Sequence, residues 1–599
     1  EDVVAVRDEI LKAFAAARSQ PVDARRLADA RANARYALVR SLDTTEAVAE
    51  TLANFARFRR AYDTLNRYYQ LYEGLTPADL QAAARKYFTD AGLVFTTLSH
   101  GPLPEAVKTL PALARFEPAG AGPAPIKAVT APTALPLVTV KLLFRAGSAH
   151  DPKGKEGLAA LAASMLAEAG SREKRIDEIK RGLFPIAGQV DAQVDKELTT
   201  FTLGVHRDNW PEFSALALPM LLEPGFREDD FRRLKDAQRN ALEQDLRANN
   251  EEELGKERLQ ANVFAGTPYG HPVLGSLAGI DAITLDDVKD FVRRAYTRAG
   301  LTLGLAGDLP AGLAEGLQRR LGALPEGPAL PEPAGVTARA PKGLEVEILQ
   351  KETRATAISF GHPIGVTRGH PDFPALYLAR TWLGEHRSSI SHLYQRIREV
   401  RGMNYGDYAY IEAFPGGMFR LFPEANVARR AQLFEVWIRP VVPAHAHMAL
   451  RIALHELQKM IDEGLSAEDF EATRNYLMKS VFLLTASQGQ QLGYALDSDW
   501  YRTPEFTAYM RQALAKLTRD DVNRAVRRHL SAKDLSVVII TKEAQALRDA
   551  LVADAPSTVT YDAEKPPELL AEDKVIGARK LGIRAEAVHI TPVEQVFAR

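Results

Sequence analysis

A pattern of polar and apolar positions recurs three times along the chain. Each copy begins with an aliphatic residue and a threonine, has an aspartate three residues after the threonine, and continues through a dibasic pair to a short apolar run. Threonine and aspartate at this spacing are typical of a helix N-terminus, and the apolar run predicts a strand after the helix. The copies begin at Leu75, Ile283 and Leu517, and their apolar runs are Leu93–Phe95, Leu301–Leu305 and Leu535–Ile540.

Another predicted helix precedes each copy, at Val22–Ala34, Arg227–Ala241 and Ser466–Leu477. Strand-rich stretches lie before the second and third copies, whereas the first copy starts close to residue 1. A unit that recurs in this way indicates a repeat architecture. We therefore predict a tandem α+β fold in which the first domain contributes only its C-terminal half.

Two stretches rich in proline, glycine and alanine interrupt the pattern, at Pro118–Pro136 and Pro325–Lys342. This composition is typical of linkers between compact units. The predicted organisation is an incomplete domain (1–108), a linker (109–136), a complete domain (137–325), a second linker (326–343), a further complete domain (344–555) and a C-terminal tail (556–599).

Composition excludes several classes of function. The chain of 599 residues has 76 Lys and Arg against 77 Asp and Glu, so its charge gives no basic field for nucleic acid. It contains no cysteine, which excludes disulfides, thiolate metal sites and cysteine nucleophiles. No apolar run approaches the roughly 20 residues of a membrane-spanning helix. The first residues resemble the inside of a helix rather than a signal peptide, so we expect an upstream portion.

The stretch Val138–Gly170 predicts a strand, a turn and a helix that opens near Lys155. It resembles the start of a domain of the insulinase/pitrilysin family, in which a strand ending in R-A-G-S leads to a helix with the inverted zinc motif H-x-x-E-H. In that motif two histidines bind zinc and the glutamate activates water, because residues at i, i+3 and i+4 share a helix face. The corresponding positions here are Ala160, Ala163 and Ser164, which offer neither a zinc ligand nor a general base.

The family's third zinc ligand is a glutamate in a later helix, and Glu243 matches its position approximately. A lone carboxylate does not hold zinc, so we expect Glu243 to be a helix surface residue or a salt-bridge partner. We therefore interpret Ala160, Ala163, Ser164 and Glu243 as a degenerate zinc site and expect no metal in this chain.

The remaining histidines do not suggest a metal site. His271 lies in Phe264–Gly275, which resembles a turn of the same family, and we interpret it as a turn or packing residue. His447 and His455 lie on one predicted helix, where they could share a face, but the sequence offers no obvious third ligand.

The segment Leu393–Tyr408 resembles the family's L-x-x-x-[IL]-R-x-x-x-G-x-x-Y pattern. In the non-catalytic half of these proteases, an arginine and a tyrosine with the spacing of Arg398 and Tyr405 face the zinc site across a chamber. A guanidinium can hold a peptide carbonyl, and a phenol can donate to the scissile carbonyl as it becomes an oxyanion.

Alternatives for this segment remain open. Arg398 could instead pair with Glu399 or Asp407 while Tyr405 begins a strand, and Arg401 is an alternative substrate contact.

The resemblance covers nearly the whole chain and is nearest to bacterial four-domain members of the family. It implies tandem processing-peptidase-like domains, each a mainly antiparallel sheet packed by helices, that form half of a clamshell. In such proteins the front half carries zinc, and the back half grips extended peptides, often by strand addition to a sheet edge.

The resemblance thus implies the substrate-binding, non-catalytic part of a zinc metalloendopeptidase that cleaves oligopeptides or unfolded polypeptides. Its zinc is expected in an N-terminal half, on the same precursor or on a separate chain, and family analogy favours the periplasm or cell envelope. The alternative is a pseudo-peptidase scaffold or a peptide-binding module without a proteolytic role. A mitochondrial-type processing subunit is less favoured, because the C-terminal unit contains no long glycine-rich loop.

Overall fold

The computed structural model describes residues 3–42, 44–97, 101–116 and 126–599. The chain divides into two compact units, Glu1–Pro125 and Ile126–Arg599. Part of the predicted linker Pro118–Pro136, up to residue 125, lies outside the described residues. Among the described residues, no helix combines the length and apolar character needed to cross a membrane.

The first unit is helical in its described part. The predicted capping box at Thr76 is present at the start of its last helix, where the Asp79 carboxylate accepts the Thr76 N–H at 2.8 Å and Thr76 Oγ1 accepts the Asp79 N–H at 3.2 Å. Its helices are α1 (Val3–Ser19), α2 (Ala24–Ser41), α3 (Thr45–Arg59), α4 (Thr64–Gly74) and α5 (Pro77–Tyr87).

The strand predicted at Leu93–Phe95 is wrong as a regular element. These residues follow a short 3-10 turn and have no strand partner among the residues that the structure describes. An extended segment becomes a strand only when neighbours satisfy its backbone groups, and the described residues provide none for this segment.

The second unit contains two α+β domains. The elements of its first domain are β1 (Lys127–Pro132), β2 (Leu137–Phe144), α6 (Leu158–Glu168), α7 (Ile176–Leu183), β3 (Gln189–Val194), β4 (Thr199–His206), α8 (Trp210–Leu222), α9 (Glu228–Asn240), α10 (Glu251–Val263), α11 (Leu277–Ala282), α12 (Leu285–Ala295), β5 (Leu301–Gly307) and α13 (Leu313–Leu321).

The second domain follows the linker 326–343, which has no regular structure. Its elements are β6 (Leu344–Gln350), β7 (Thr356–Ile364), α14 (Phe373–Gly384), β8 (Asp407–Tyr410), β9 (Gln432–Val441), α15 (Ala446–Glu463), α16 (Ala467–Ser480), α17 (Gln488–Tyr501), α18 (Phe506–Lys516), α19 (Arg519–His529), β10 (Leu535–Thr541), α20 (Ala544–Val552), α21 (Pro567–Ala578) and β11 (Val588–Pro592).

Each domain has one mainly antiparallel sheet. The strand order is β1-β5-β2-β4-β3 in the first sheet and β11-β6-β10-β7-β9-β8 in the second. The repeated apolar runs become β5 and β10, and each lies between a parallel and an antiparallel neighbour. The predicted tandem α+β architecture is confirmed.

Two predicted boundaries need correction. The predicted linker 109–136 contains β1, which pairs in parallel with β5. The predicted C-terminal tail 556–599 contains α21 and β11, and β11 pairs in parallel with β6 as an edge strand of the second sheet. Each of these segments therefore contributes one strand to a sheet. The other domain limits stay predictions.

Each domain of the second unit contributes a helix that packs on the sheet of the other domain. Helix α10 of the first domain packs on the second sheet, where Leu254 joins a cluster with Val538 and Ile540. Helix α17 of the second domain packs on the first sheet, where Leu492 and Leu496 meet Leu143. The reciprocal exchange gives the two domains a shared apolar interface.

A buried ion pair crosses this interface. Arg429, in the loop before β9, donates to both oxygens of Asp195 at 2.6 and 2.7 Å, and Asp195 lies in the turn between β3 and β4. Both side chains are almost fully buried. Because water does not solvate these two charges, each is stabilised mainly by the opposite charge of its partner.

Replacement of Asp195 by alanine should strongly destabilise the second unit. The variant leaves the Arg429 guanidinium buried without its counter-charge, so we expect a loss of about 3–5 kcal/mol in the free energy of unfolding, measured by urea denaturation. Asp229→Ala, which removes an exposed ion pair with Arg175, is the matched control and should leave stability nearly unchanged. Equal losses in the two variants would contradict this role for Asp195.

Candidate functional site

The helix predicted to correspond to the family's zinc helix is α6 (Leu158–Glu168). The Asp151 carboxylate caps its N-terminus by accepting the N–H groups of Gly157 at 2.8 Å and Ala159 at 2.7 Å. Burial raises the pKa of Asp151 to about 8 in spite of these two hydrogen bonds. The cap fixes where the helix begins and hence which residues share a face.

The three residues of α6 that the resemblance assigns to the zinc motif carry no ligand groups. Ala163 is buried in the apolar core, whereas Ala160 and Ser164 are half-buried. Two methyl groups and a hydroxyl provide no imidazole, thiolate or carboxylate for zinc. The residues present therefore do not fit a zinc ion.

Glu243 lies in a π-helical segment (Ala241–Ala248) that continues α9. It is partly exposed and 3.4 Å from Nη2 of Arg239, whose guanidinium also holds Asp281. Among the described residues, no hydrogen bond or ion pair joins Glu243 to α6. The geometry is that of a surface salt bridge, which contributes little to stability.

Two other clusters of histidine and carboxylate residues occur in the described part of the chain, and neither includes Glu243. In the first, Asp372 accepts a hydrogen bond from Nε2 of His529 at 2.7 Å, and Nδ1 of His370 accepts the Asp372 N–H at 3.0 Å. That contact places the proton of a neutral His370 ring on Nε2, which opposes metal binding there.

The second cluster consists of His455, Glu456 and Glu572, and arginines already hold its two carboxylates. His447 belongs to neither cluster. Its burial lowers its pKa to about 4. His447 and His455 are thus not brought together with a third ligand.

His271 occupies the turn predicted from the sequence. Its backbone carbonyl accepts a hydrogen bond from Nζ of buried Lys196, and its Nδ1 lies 2.9 Å from the Pro272 carbonyl. Burial lowers the pKa of His271 to about 4. The neighbouring Tyr269 hydroxyl donates to Glu197. Hydrogen bonds with Lys196 and Glu197 therefore stabilise this turn.

Arg398 and Tyr405 lie on one short segment, which we call the grip segment (residues 394–406). It begins with a second π-helical stretch (Tyr394–Glu399) and leads into β8, an edge strand. Short π-helical stretches occur frequently at functional sites. Gly402 adopts φ +69°, a backbone conformation that favours glycine and allows the turn after the helix.

The two candidate side chains are accessible. Tyr405 is 78% exposed. Arg398 donates to Glu399 at 3.0 Å and lies over the Tyr394 ring at 5.4 Å, but its side chain remains partly open to solvent. The alternative pairing of Arg398 with Glu399 is therefore present, although an exposed pair of this kind is easily exchanged for another acceptor.

Buried charges hold the base of the grip segment. Glu456 of α15 accepts hydrogen bonds from Nε2 of His392 and Nε of Arg396, both at 2.7 Å. Arg396 also pairs with Glu572 of α21. These contacts connect the segment to two helices that are distant in sequence.

Arg401 is not a substrate contact. Its side chain is fully buried and donates to Asp573 and Glu572, each at 2.8 Å, and to the Arg396 carbonyl at 2.7 Å. The alternative role predicted for Arg401 is therefore wrong, because a buried guanidinium with two carboxylate partners is not available to a peptide. Arg401 instead connects the grip segment to α21 through its ion pairs with Glu572 and Asp573.

Two family models match parts of the second unit. Residues 128–277 match the family model described as insulinase (peptidase family M16), and residues 282–477 match the model described as the M16 peptidase inactive domain. The chain belongs to the insulinase (M16) family. It has the non-catalytic fold of that family.

Two M16 relatives have contrasting names. An uncharacterised zinc protease of Streptomyces coelicolor is 24% identical over 64% of this chain and 81% of the relative. A non-peptidase homolog of Helicobacter pylori is 22% identical over 68% of this chain and 90% of the relative.

A solved structure confirms the fold. The peptidase M16 inactive domain from Pseudomonas fluorescens superposes with a TM-score of 0.61 at 22% identity, and covers 69% of this chain and 94% of that chain. A protease from Helicobacter pylori gives a TM-score of 0.58 at 16% identity, over 70% and 97% of the two chains.

The anchor of the grip segment in this M16 chain should depend on pH. Burial alone would raise the pKa of Glu456, but the hydrogen bonds and charges of His392 and Arg396 outweigh it and lower the pKa to about 2. The carboxylate therefore stabilises the fold above its ordinary pKa of 4.5, and this contribution falls as the pH decreases from 4.5 towards 2.

The Glu456→Gln variant tests this anchor. Its deficit in the free energy of unfolding should be largest near neutral pH and should shrink below pH 4.5, as measured by denaturant titration at several pH values. Glu468→Gln, at an exposed position of α16, is the control. A deficit of Glu456→Gln that does not change with pH would show that the ionised carboxylate is not the anchor.

Proposed function

We propose that this chain is the substrate-gripping, non-catalytic part of a zinc endopeptidase that acts on oligopeptides or unfolded polypeptides. A half that carries H-x-x-E-H, on the same precursor or on a separate chain, supplies the zinc. The names of several relatives as zinc proteases fit a zinc site in another part of such an enzyme. In this arrangement the chain forms one half of a clamshell.

One observation carries the proposal: an exposed phenol, Tyr405, projects from a segment whose base is fixed by buried ion pairs. Exposed tyrosines on mobile loops do not provide a fixed donor direction. A positioned hydroxyl can donate to a peptide carbonyl, and it donates more strongly when negative charge develops on that oxygen.

Arg398 has the complementary role. Its guanidinium is partly exposed, and its pairing with Glu399 can be replaced by a substrate carbonyl at little cost. Guanidinium groups donate several N–H bonds in a fixed plane, which suits an extended peptide backbone. Arg398 would therefore bind the main chain of the peptide, without selecting its side chains.

The alternative is a pseudo-peptidase scaffold, which the non-peptidase homolog of Helicobacter pylori favours by its name. A scaffold does not require a fixed phenol and an available guanidinium near one another along the chain. The two functions predict different effects on peptide cleavage when the Tyr405 hydroxyl is removed.

Kinetics of the enzyme reconstituted with a zinc-bearing family half test the role of Tyr405. Tyr405→Phe should lower kcat on a quenched peptide by about 100-fold with little change in KM, because the lost bond strengthens in the transition state. Tyr62→Phe, at a residue that is 73% exposed, is the matched control and should behave as the parent.

Arg398→Ala should mainly raise KM, since a bond to the substrate main chain is present before and during the reaction. An unchanged kcat for Tyr405→Phe would contradict the oxyanion role. Chelator-sensitive cleavage by the isolated chain, without a partner half, would contradict the non-catalytic assignment.

A further inference from the structure

A cavity of about 70 Å³ lies in the second domain, between α14, α16, α17 and the loop that precedes β9. Neither Arg398 nor Tyr405 lines it, so the cavity is separate from the two candidate residues of the grip segment. We infer that this cavity binds a glutamine side chain of a peptide through its uncharged carboxamide group. The inference goes beyond the proposed function, because such binding requires neither zinc nor a partner half.

The volume of the cavity limits the group that can enter. An apolar cavity of about 150 Å³ holds benzene, so one of about 70 Å³ holds roughly three to five non-hydrogen atoms. Buried aromatic rings, among them those of Tyr377, Tyr494 and Phe506, already occupy the surrounding space. A further aromatic side chain is therefore too large, whereas the end of an unbranched side chain fits.

Two arginine–glutamate pairs form what we call the inner wall of the cavity. Arg368 donates through Nε to Oε1 of Glu412 at 2.9 Å, and Arg380 donates through Nη1 to Oε2 of Glu385 at 2.5 Å. Both arginines are almost fully buried. The inner wall is therefore polar, and within each pair the two charges are matched.

The inner wall retains capacity for further hydrogen bonds. Glu412 and Glu385 each accept an arginine at one carboxylate oxygen, and the other oxygen has no donor among the described residues. Nε and Nη1 of Arg368 donate to Glu412 and Asp497, whereas its Nη2 has no acceptor in the described part of the chain. A carboxamide has two N–H donors and one carbonyl acceptor, so it can bond to both kinds of free group.

The balance of charge favours an uncharged ligand. Behind Arg368, the Asn426 amide accepts a hydrogen bond from Lys141 at 2.9 Å and donates to Asp497 at 3.1 Å, so this carboxylate also lies near a cation. His386, which lines the cavity, is neutral near pH 7 because burial lowers its pKa to about 4. An ammonium or a carboxylate group would therefore add a charge without a partner to a desolvated site, which is unfavourable.

The opening of the cavity is apolar. Leu421, Phe422 and Leu483 line the cavity and are 64%, 38% and 48% exposed, whereas the arginines of the inner wall are buried. A side chain that enters would pass its methylene groups along these apolar residues before its end reaches the inner wall. An unbranched apolar stem that ends in a neutral donor and acceptor is the chemistry of glutamine.

Peptides with side chains of similar length test the inference. Four capped pentapeptides of alanine carry glutamine, glutamate, methionine or lysine at the centre, and each is titrated into the full chain with isotope-labelled methyl groups. The NMR signals of Ile411, Val427 and Leu484, which line the cavity, report on binding. Leu305, a buried residue of β5 in the first domain, is the control signal.

We expect the glutamine peptide to shift the cavity signals with saturation and to leave Leu305 unchanged. The methionine peptide should bind about 3- to 10-fold more weakly, because it has the stem without the hydrogen bonds. The glutamate and lysine peptides should bind at least about tenfold more weakly, because each adds an unpaired charge.

A variant that fills the cavity provides a second test. Ser480 lies at the end of α16 and lines the cavity, so Ser480→Phe should abolish binding of the glutamine peptide. Lys479→Phe adds the same ring at the neighbouring exposed position and is the matched control, which should bind as the parent chain does.

The inference is overturned if the glutamate or the lysine peptide binds as tightly as the glutamine peptide, or if no peptide shifts the cavity signals at millimolar concentration. Unchanged binding of the glutamine peptide to Ser480→Phe would also overturn it. The peptide series uses the unaltered chain, so the inference stays testable if Ser480→Phe does not fold. No zinc-bearing half enters the experiment, so its failure would leave the proposed roles of Arg398 and Tyr405 untouched.

Discussion

The requirement that a buried strand be hydrogen-bonded along both edges governs this structure. The repeated helix–strand unit cannot bury its own strand, because one helix covers one face and leaves the backbone N–H and C=O groups at both edges unpaired. In the second unit the requirement is met twice, by β1 and β2 around β5 and by β6 and β7 around β10. The first unit contains the same local pattern at Thr76–Phe95, and its described residues include no such neighbours.

The same sheets determine where the chemistry lies. In the second domain, β8 is an edge strand, so the segment that leads into it reaches the surface and can present Tyr405 to solvent. Its base is nevertheless held, because Arg396 and Arg401 reach carboxylates of α15 and α21. A fixed base and an open end suit the contact that we propose between Tyr405 and a substrate bound to another polypeptide.

Sequence reasoning was most successful where a local pattern determines a local structure. The boxes at Thr284 and Thr518 predicted helices whose starts agree with α12 and α19, and the strand and helix predicted within Val138–Gly170 correspond to β2 and α6. It failed at Leu93–Phe95, because strand formation depends on neighbours that the local sequence does not contain. It also missed β11, a short strand that pairs with β6 from a distant part of the chain.

The candidate site shows the same division. The resemblance identified Arg398 and Tyr405, and the structure adds the exposure of Tyr405 and the anchor beneath it. Nothing in the pattern around Arg401 indicated that it would be buried against Glu572 and Asp573, since those carboxylates lie in a region interpreted as a tail. Long-range ion pairs of this kind, like that between Arg429 and Asp195, depend on tertiary packing and are not encoded in short motifs.

In the proposed function, the grip segment touches a peptide at the bond that the partner half cleaves. A photo-reactive phenylalanine analogue in place of Tyr405, in the reconstituted enzyme with a bound peptide, measures this contact directly. We expect a cross-link to a residue adjacent to the scissile bond, located by mass spectrometry. A peptide that is cleaved by the enzyme but cross-links only far from that bond, or not at all, would contradict it.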